Sequence, residues 1–264
     1  MRIVPAINGL HWLRVGWLLF MRSPLMWILA FSALWLMMAV IAQIPILGLL
    51  IAALTTPVFS VGFMTMGAAA EAGKPLEPNL LFAGFRNNLQ SLITLGGIYL
   101  IAGALIILLA RLTGGDAAVD PAAANALPTL KWRELILPAI AYALVSMAYW
   151  FAPVLCAWHG MQPLKALFFS FFACLRNWRA FLAYGFALMM FVLIAMTLAS
   201  LLSALLFGGN IPPEASMQNF IMAFILGLTP MLLASVYASY RDIFGAPPKG
   251  VAGAPSGDAT PGGD

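Results

Sequence analysis

Charge-free length constrains this chain more than any motif does. No Asp, Glu, Lys or Arg occurs from Pro24 to Ala70, Asn87 to Ala110, Leu135 to Leu164, Ala180 to Gly209 or Ala215 to Tyr240. About 20 mostly apolar residues, rising roughly 1.5 Å each as a helix, cross the hydrocarbon of a bilayer. Each of the last four runs therefore holds one crossing. The first is too long for one and divides near Gln43-Ile44-Pro45, where an amide side chain and a proline suit a tight turn. The expectation is an all-α integral membrane protein with six transmembrane helices. They fall at about 24–42, 45–70, 89–110, 135–158, 180–207 and 218–240, in one polytopic domain over residues 1–244.

Composition supports the class. Charged residues are 8% of the chain and apolar ones 63%, whereas a soluble domain carries about 25% charge. Val40-Ile41-Ala42 has the small residues of a signal-peptide cleavage site. The stretch before the apolar core is long, however, and the core is nearly of spanning length, so the segment reads as a retained first helix. Arg111 to Glu134, with Gly114-Gly115-Asp116 and Asp120-Pro121, reads as a loop. Residues 245–264 are mostly Gly, Pro, Ala, Ser and Asp and are expected to form a disordered cytoplasmic tail.

Orientation follows from the thirteen basic residues. With six crossings, Arg2, Arg14, Arg22, Lys74, Arg86, Lys165, Arg176, Arg179, Arg241 and Lys249 share one side, and Arg111, Lys131 and Arg133 the other. The richer side is cytoplasmic by the positive-inside rule, which puts both termini there. The net charge of +4 comes from residues at the ends of apolar runs. It therefore points to lipid headgroups as partners and away from nucleic acid.

A pattern occurs three times. Arg22-Ser23-Pro24, Arg86-Asn87-Asn88 and Arg176-Asn177-Trp178 each close an amphipathic segment and precede an outgoing span. Each returning span then carries a proline after a small residue, at Pro57, Pro153 and Pro230. This predicts three tandem helical hairpins, each preceded by a short cytoplasmic interfacial helix. In the first such helix Asn8, His11 and Arg14 mark a polar face, with Leu10, Leu13, Trp17 and Phe20 opposite. In the third, Lys165 and Arg176 lie three turns apart amid Leu167, Phe168, Phe171 and Phe172. The second, Pro78 to Arg86, is short. The recurring Ser or Asn is expected to cap the span that follows. The prolines are expected to kink the returning helices, with Thr56 and Thr229 hydroxyls compensating.

These features carry a resemblance. The opening from Arg2 to Pro24, with Trp12, Gly16 and Trp17, is one part of it. The other is Phe151-Ala152-Pro153-Val154-Leu155 through Cys174-Leu175-Arg176-Asn177-Trp178. Together they resemble a family of multi-spanning bacterial inner-membrane proteins, mainly betaproteobacterial, with no assigned activity. More distantly, the layout is similar to the membrane domain attached to some glycerophosphodiester phosphodiesterases, although these 264 residues hold no soluble phosphodiesterase domain. The resemblance implies a fold and a compartment, the bacterial inner membrane, and no activity.

Chemistry is sparse. The spans hold no ionisable residue in their middles, which speaks against proton coupling. Two histidines, His11 and His159, and two cysteines, Cys156 and Cys174, fall short of metal-ligand or disulfide patterns. Glu71 and Glu77, with Lys74 between them, read as a solvated loop. P-loop, GxSxG and GxGxxG motifs are absent from the sequence. No catalytic residue, cofactor or metal is expected, and no protein partner can be read. The leading reading is a non-catalytic lipid-interacting or scaffold protein whose Arg22, Arg86, Arg176, Arg14 and Lys165 contact headgroups of membrane lipids, anionic ones foremost. The alternative is a transporter or channel for a small uncharged or amphiphilic molecule, using Tyr99, Tyr142 and Tyr149.

Overall fold

A computed structural model describes residues 1–113, 132–207, 213–248 and 251. Of the expected loop from Arg111 to Glu134, residues 114–131, with Lys131, lie outside them, as does most of the tail, with Lys249; the loop's two ends are helical. Every regular element among the described residues is helical. In chain order these are α1 (Asn8–Met21), α2 (Pro24–Ile41), α3 (Leu47–Glu71), a 3-10 turn (Pro78–Phe82), α4 (Ala83–Arg86) and α5 (Leu89–Leu112). They continue with α6 (Trp132–Tyr149), α7 (Ala152–His159), α8 (Pro163–Arg176), α9 (Trp178–Phe207) and α10 (Pro213–Phe244). Five segments among the described residues are long and apolar enough to cross a membrane: Pro24–Ile41, Leu47–Glu71, Leu89–Leu112, Leu135–His159 and Trp178–Leu202. α10, 32 residues long, packs among them.

The core forms where α3, α7 and α10 converge. Met66, Phe151, Leu155, Tyr237 and Tyr240 are at most 1% exposed. The Trp158 ring stands edge-on to Tyr240, with centroids 5.1 Å apart, and Phe151 is edge-on to Phe244 at 5.3 Å. Such pairs add about 0.5–1.5 kcal/mol each beyond area burial. The outer helices are apolar on the surface instead. Leu182, Phe186 and Leu198 of α9 are each about three-fifths exposed, a surface suited to lipid rather than water.

The second and third amphipathic segments pack on helices that precede them in the chain. The 3-10 turn and α4 lie on α3, and α8 lies on α6 and α7. α1 has no earlier helix and packs instead on α10, the last, and on α9. The α1 contact is made by glycine: a Cβ at Gly16 would stand 2.6 Å from Cβ of Ser235, and one at Gly9 would strike Ala180 O. The buried face of α1 is therefore Gly9, Trp12, Gly16, Leu19 and Phe20. Of the expected apolar face, Leu10 and Trp17 point outward, each nearly half exposed, while Phe20 is buried. Close backbone approach, more than apolarity, decides which face meets protein in a membrane.

One correction concerns the fourth crossing, expected as one helix. It is broken at Trp150–Phe151, and Pro153 starts α7 instead of sitting within a continuous helix. Proline has no N–H to extend the helical ladder. Ser170 of α8 repairs the gap: its Oγ donates to Met147 O and accepts from Phe151 N, both at 2.9 Å. Pro57 and Pro230 lie inside α3 and α10. Beside Pro57, the Thr56 hydroxyl donates to Ala52 O at 2.7 Å.

Candidate functional site

One end of the bundle gathers the starts of α2, α5 and α9 and the ends of α3, α7 and α10, and most of the polar chemistry is there. The last carbonyls of α3 have no helical partner. Arg22, just past α1, supplies one: its Nη1 donates to Ala70 O and, at 3.0 Å, to Glu71 O. A cation at this terminus also offsets the negative end of the helix dipole. The Glu71 carboxylate turns the other way. Its Oε2 accepts from Tyr237 OH at 2.5 Å and from Arg241 Nε at 3.0 Å. With Arg241 41% and Glu71 33% exposed, solvent screening keeps that ion pair modest.

The N-terminal segment and the last turn of α10 are fastened together at the same end. Asp242 Oδ2 accepts from Asn8 Nδ2 and Trp12 Nε1, both at 2.8 Å. Asn177 is 2% exposed. Its Oδ1 accepts from Val4 N at 2.8 Å, and its Nδ2 donates to Arg2 O and Ala173 O. Arg2 N in turn donates to Ile243 O at 2.8 Å. His159, at the end of α7, shares a 2.8 Å hydrogen bond with Tyr240 OH.

The expected capping role of the recurring Ser and Asn is overturned for α2 and α5. Ser23 bonds the carbonyl of Arg22, and neither Ser23 nor Asn88 caps its helix through a side chain. Asn88 instead sits in the left-handed region (φ 53°) and donates to Cys156 O of α7. Asn87 and Asn177 make the same local bond, donating to Ala83 O and Ala173 O four residues back, each at 2.9 Å. These amides close the preceding helices and tie distant segments.

The nominated cations divide into two groups. Arg22 is committed to α3. Arg14, Arg86, Lys165 and Arg176 are exposed and form no ion pair among the described residues. Each sits in exposed apolar surface. Arg14 lies on the row of Leu10, Trp17 and Met21, and Arg86 follows the exposed Phe82 and Phe85. Lys165 and Arg176 flank Phe168 and Phe172, whose rings are 4.5 Å apart. Beside Arg22 lies an open basin of about 620 Å³, bounded by Ser23, Lys74 and the backbone from Ala70 to Leu76. Among the described residues, no three His, Cys, Asp or Glu side chains converge on a metal position. Sequence reasoning missed Asp242, Asn8 and Glu71 as anchors, since each acts on an element far away in the chain.

No family model and no solved structure matches the chain. A probable inner membrane protein of Burkholderia thailandensis is 36% identical over 260 residues, covering 92% of this chain and 93% of that protein.

Proposed function

Since the chain belongs to the same family as this Burkholderia inner membrane protein, we propose that it is a non-catalytic, lipid-interacting scaffold of the bacterial inner membrane. In this reading α10 is a sixth crossing, the six crossings form three hairpins, and both termini are cytoplasmic. The cation distribution supports that orientation.

One observation carries the lipid reading. Arg14, Arg86, Lys165 and Arg176 project from exposed apolar rows on α1, α4 and α8. A helix with such a face rests at the headgroup level, apolar side chains in the acyl boundary and cations towards phosphate. At about 1 kcal/mol for each cation near an anionic surface, four contribute roughly 4 kcal/mol of preference. Arg22 contributes less to this layer, because two carbonyls already hold its Nη1.

The transporter alternative has weaker support. Tyr149 OH is bonded to Leu95 O at 2.9 Å. The space between α3, α7 and α10 is about 50 Å³, lined by Ser60 and otherwise mainly by apolar groups such as Phe63 and Val154. An uptake assay in proteoliposomes addresses that reading directly.

The lipid reading is tested in mixed phosphatidylglycerol and phosphatidylethanolamine nanodiscs, by measuring which lipids copurify. Replacing Arg14, Arg86, Lys165 and Arg176 together by Gln should abolish enrichment of the anionic lipid. Unchanged enrichment would leave these cations as topology signals only.

A further inference from the structure

Between α2 and the 3-10 turn lies a second cavity that the headgroup reading does not use. It has a volume of about 350 Å³, within the roughly 300–1,000 Å³ of ligand pockets. Met26, Ala33 and Met37 of α2 form one wall, Met66 of α3 contributes to the lining, and Leu81 and Phe82 of the 3-10 turn close the other side. Met26, Ala33 and Met37 recur at helical spacing, so they share one face of a candidate membrane-spanning helix. An occupant that gave up water for such a lining without hydrogen bonds would have to be hydrocarbon. Three methionines in the wall suit a flexible chain, since Met adapts to irregular shapes.

Basin and groove are lined by adjoining stretches of the chain. α2 walls the groove, and Arg22 and Ser23, just before it in the chain, border the basin. The connection leaving α3 lines the basin with Ala72 to Leu76 and the groove with Glu77 to Phe82. The charge at the basin is also arranged for an anion. Arg22 uses Nη1 on the α3 carbonyls, so Nε and Nη2 have no protein acceptor among the described residues. Lys74 lines the same basin. The Glu71 carboxylate is held by Tyr237 and Arg241, and the Glu77 carboxylate, on the groove, accepts from Asn79 Nδ2 at 2.7 Å. Phosphate oxygens match the guanidinium fork.

We propose that basin and groove together are one binding site for a single anionic phospholipid, its phosphate against Arg22 and one acyl chain between α2 and the Pro78–Phe82 turn. This rests on the lipid-interacting reading but differs in kind. The exposed cations gather a mobile headgroup layer, whereas this site holds one lipid molecule in a fixed pose. The connection leaving α3 is then bound to the bilayer from within.

The test uses phosphatidylglycerol with a mid-chain diazirine, in nanodiscs containing excess phosphatidylethanolamine, with photo-crosslinked peptides identified by mass spectrometry. Crosslinks should concentrate on residues 26–37 and 77–82, and unlabelled phosphatidylglycerol should displace them where phosphatidylethanolamine does not. Ala33 is exposed, so Ala33→Trp fills the groove without entering the core. Each buried methylene is worth about 0.8 kcal/mol, so excluding even two should cut the crosslinks about tenfold. Crosslinks spread evenly over the outer faces of α2, α5 and α9 overturn the site, and so does equal displacement by both lipids. The four-Gln variant separates the two ideas. If it loses anionic enrichment while Ala33→Trp changes nothing, the headgroup reading stands and the site falls. The opposite pattern retains the site and removes the headgroup layer.

Discussion

The indole N–H of Trp12 donates to the Asp242 carboxylate at 2.8 Å across 230 positions of sequence. Trp12 is 1% exposed and its ring lies 5.1 Å from Phe181, so the bond joins α1 to the end of α10 beside the start of α9.

Trp12→Phe retains the ring contacts and removes the donor. A hydrogen bond to a charged group is worth about 1.5–3 kcal/mol, and unfolding of the detergent-solubilised protein should register that loss. Trp27 is fully buried and its Nε1 has no partner among the described residues. Trp27→Phe relieves that unsatisfied donor, which offsets part of the cavity it leaves, and should cost less. Equal losses would mean that the Asp242 bond adds nothing.

Arg22→Gln removes the cation at the end of α3. Loss of a charge-assisted bond and of the dipole contact should lower stability by about 1–2 kcal/mol. Arg22→Lys should recover part of it through the charge. Thermal unfolding of the three proteins in one detergent gives the order Arg, Lys, Gln.

Gly16→Ala forces a methyl to within 2.6 Å of Cβ and 2.7 Å of Cα of Ser235. Backbone cannot yield as a flexible side chain would, and overpacking of this kind costs about 1–3 kcal/mol. Gly103→Ala meets nothing within 4 Å and should gain up to about 1 kcal/mol of helix propensity. Opposite signs in one melting series check both.

Burial pushes the Cys174 thiol up to about 12, and its Sγ faces Met147 O at 3.5 Å. The reactive thiolate is therefore negligible at neutral pH. N-ethylmaleimide should leave Cys174 unmodified until the protein unfolds. Ser170→Ala strips the broken α6–α7 junction of its bridge, should cost about 1–3 kcal/mol, and should speed labelling of Cys174.

The membrane helices were legible because a bilayer penalises charge so heavily that its absence marks them. Contacts among those helices were not. Against lipid, Leu10 and Trp17 lose nothing by facing outward, while Gly9 and Gly16 gain by letting backbones meet, so the protein-facing side of α1 leaves no mark in apolar periodicity. The break before Pro153 was hidden because its repair comes from Ser170, on another helix. Arg22 looked equivalent to Arg86 and Arg176 in sequence. Only the fold brings Ala70 O to it, and that contact turns one of three similar arginines into a helix cap.

The packing of α1 on α10 imposes an order on biosynthesis. α1 leaves the ribosome long before α10, so Asn8, Trp12 and Gly16 find Ser235 and Asp242 only after the helices between have been made. Throughout translation α1 must wait without its final partner, and the membrane surface is where an amphipathic helix can do so. Closure of α1 onto α10 thus belongs to the late steps of assembly. A chain cut short before Asp242 would keep its apolar helices while losing the carboxylate that holds Asn8 and Trp12.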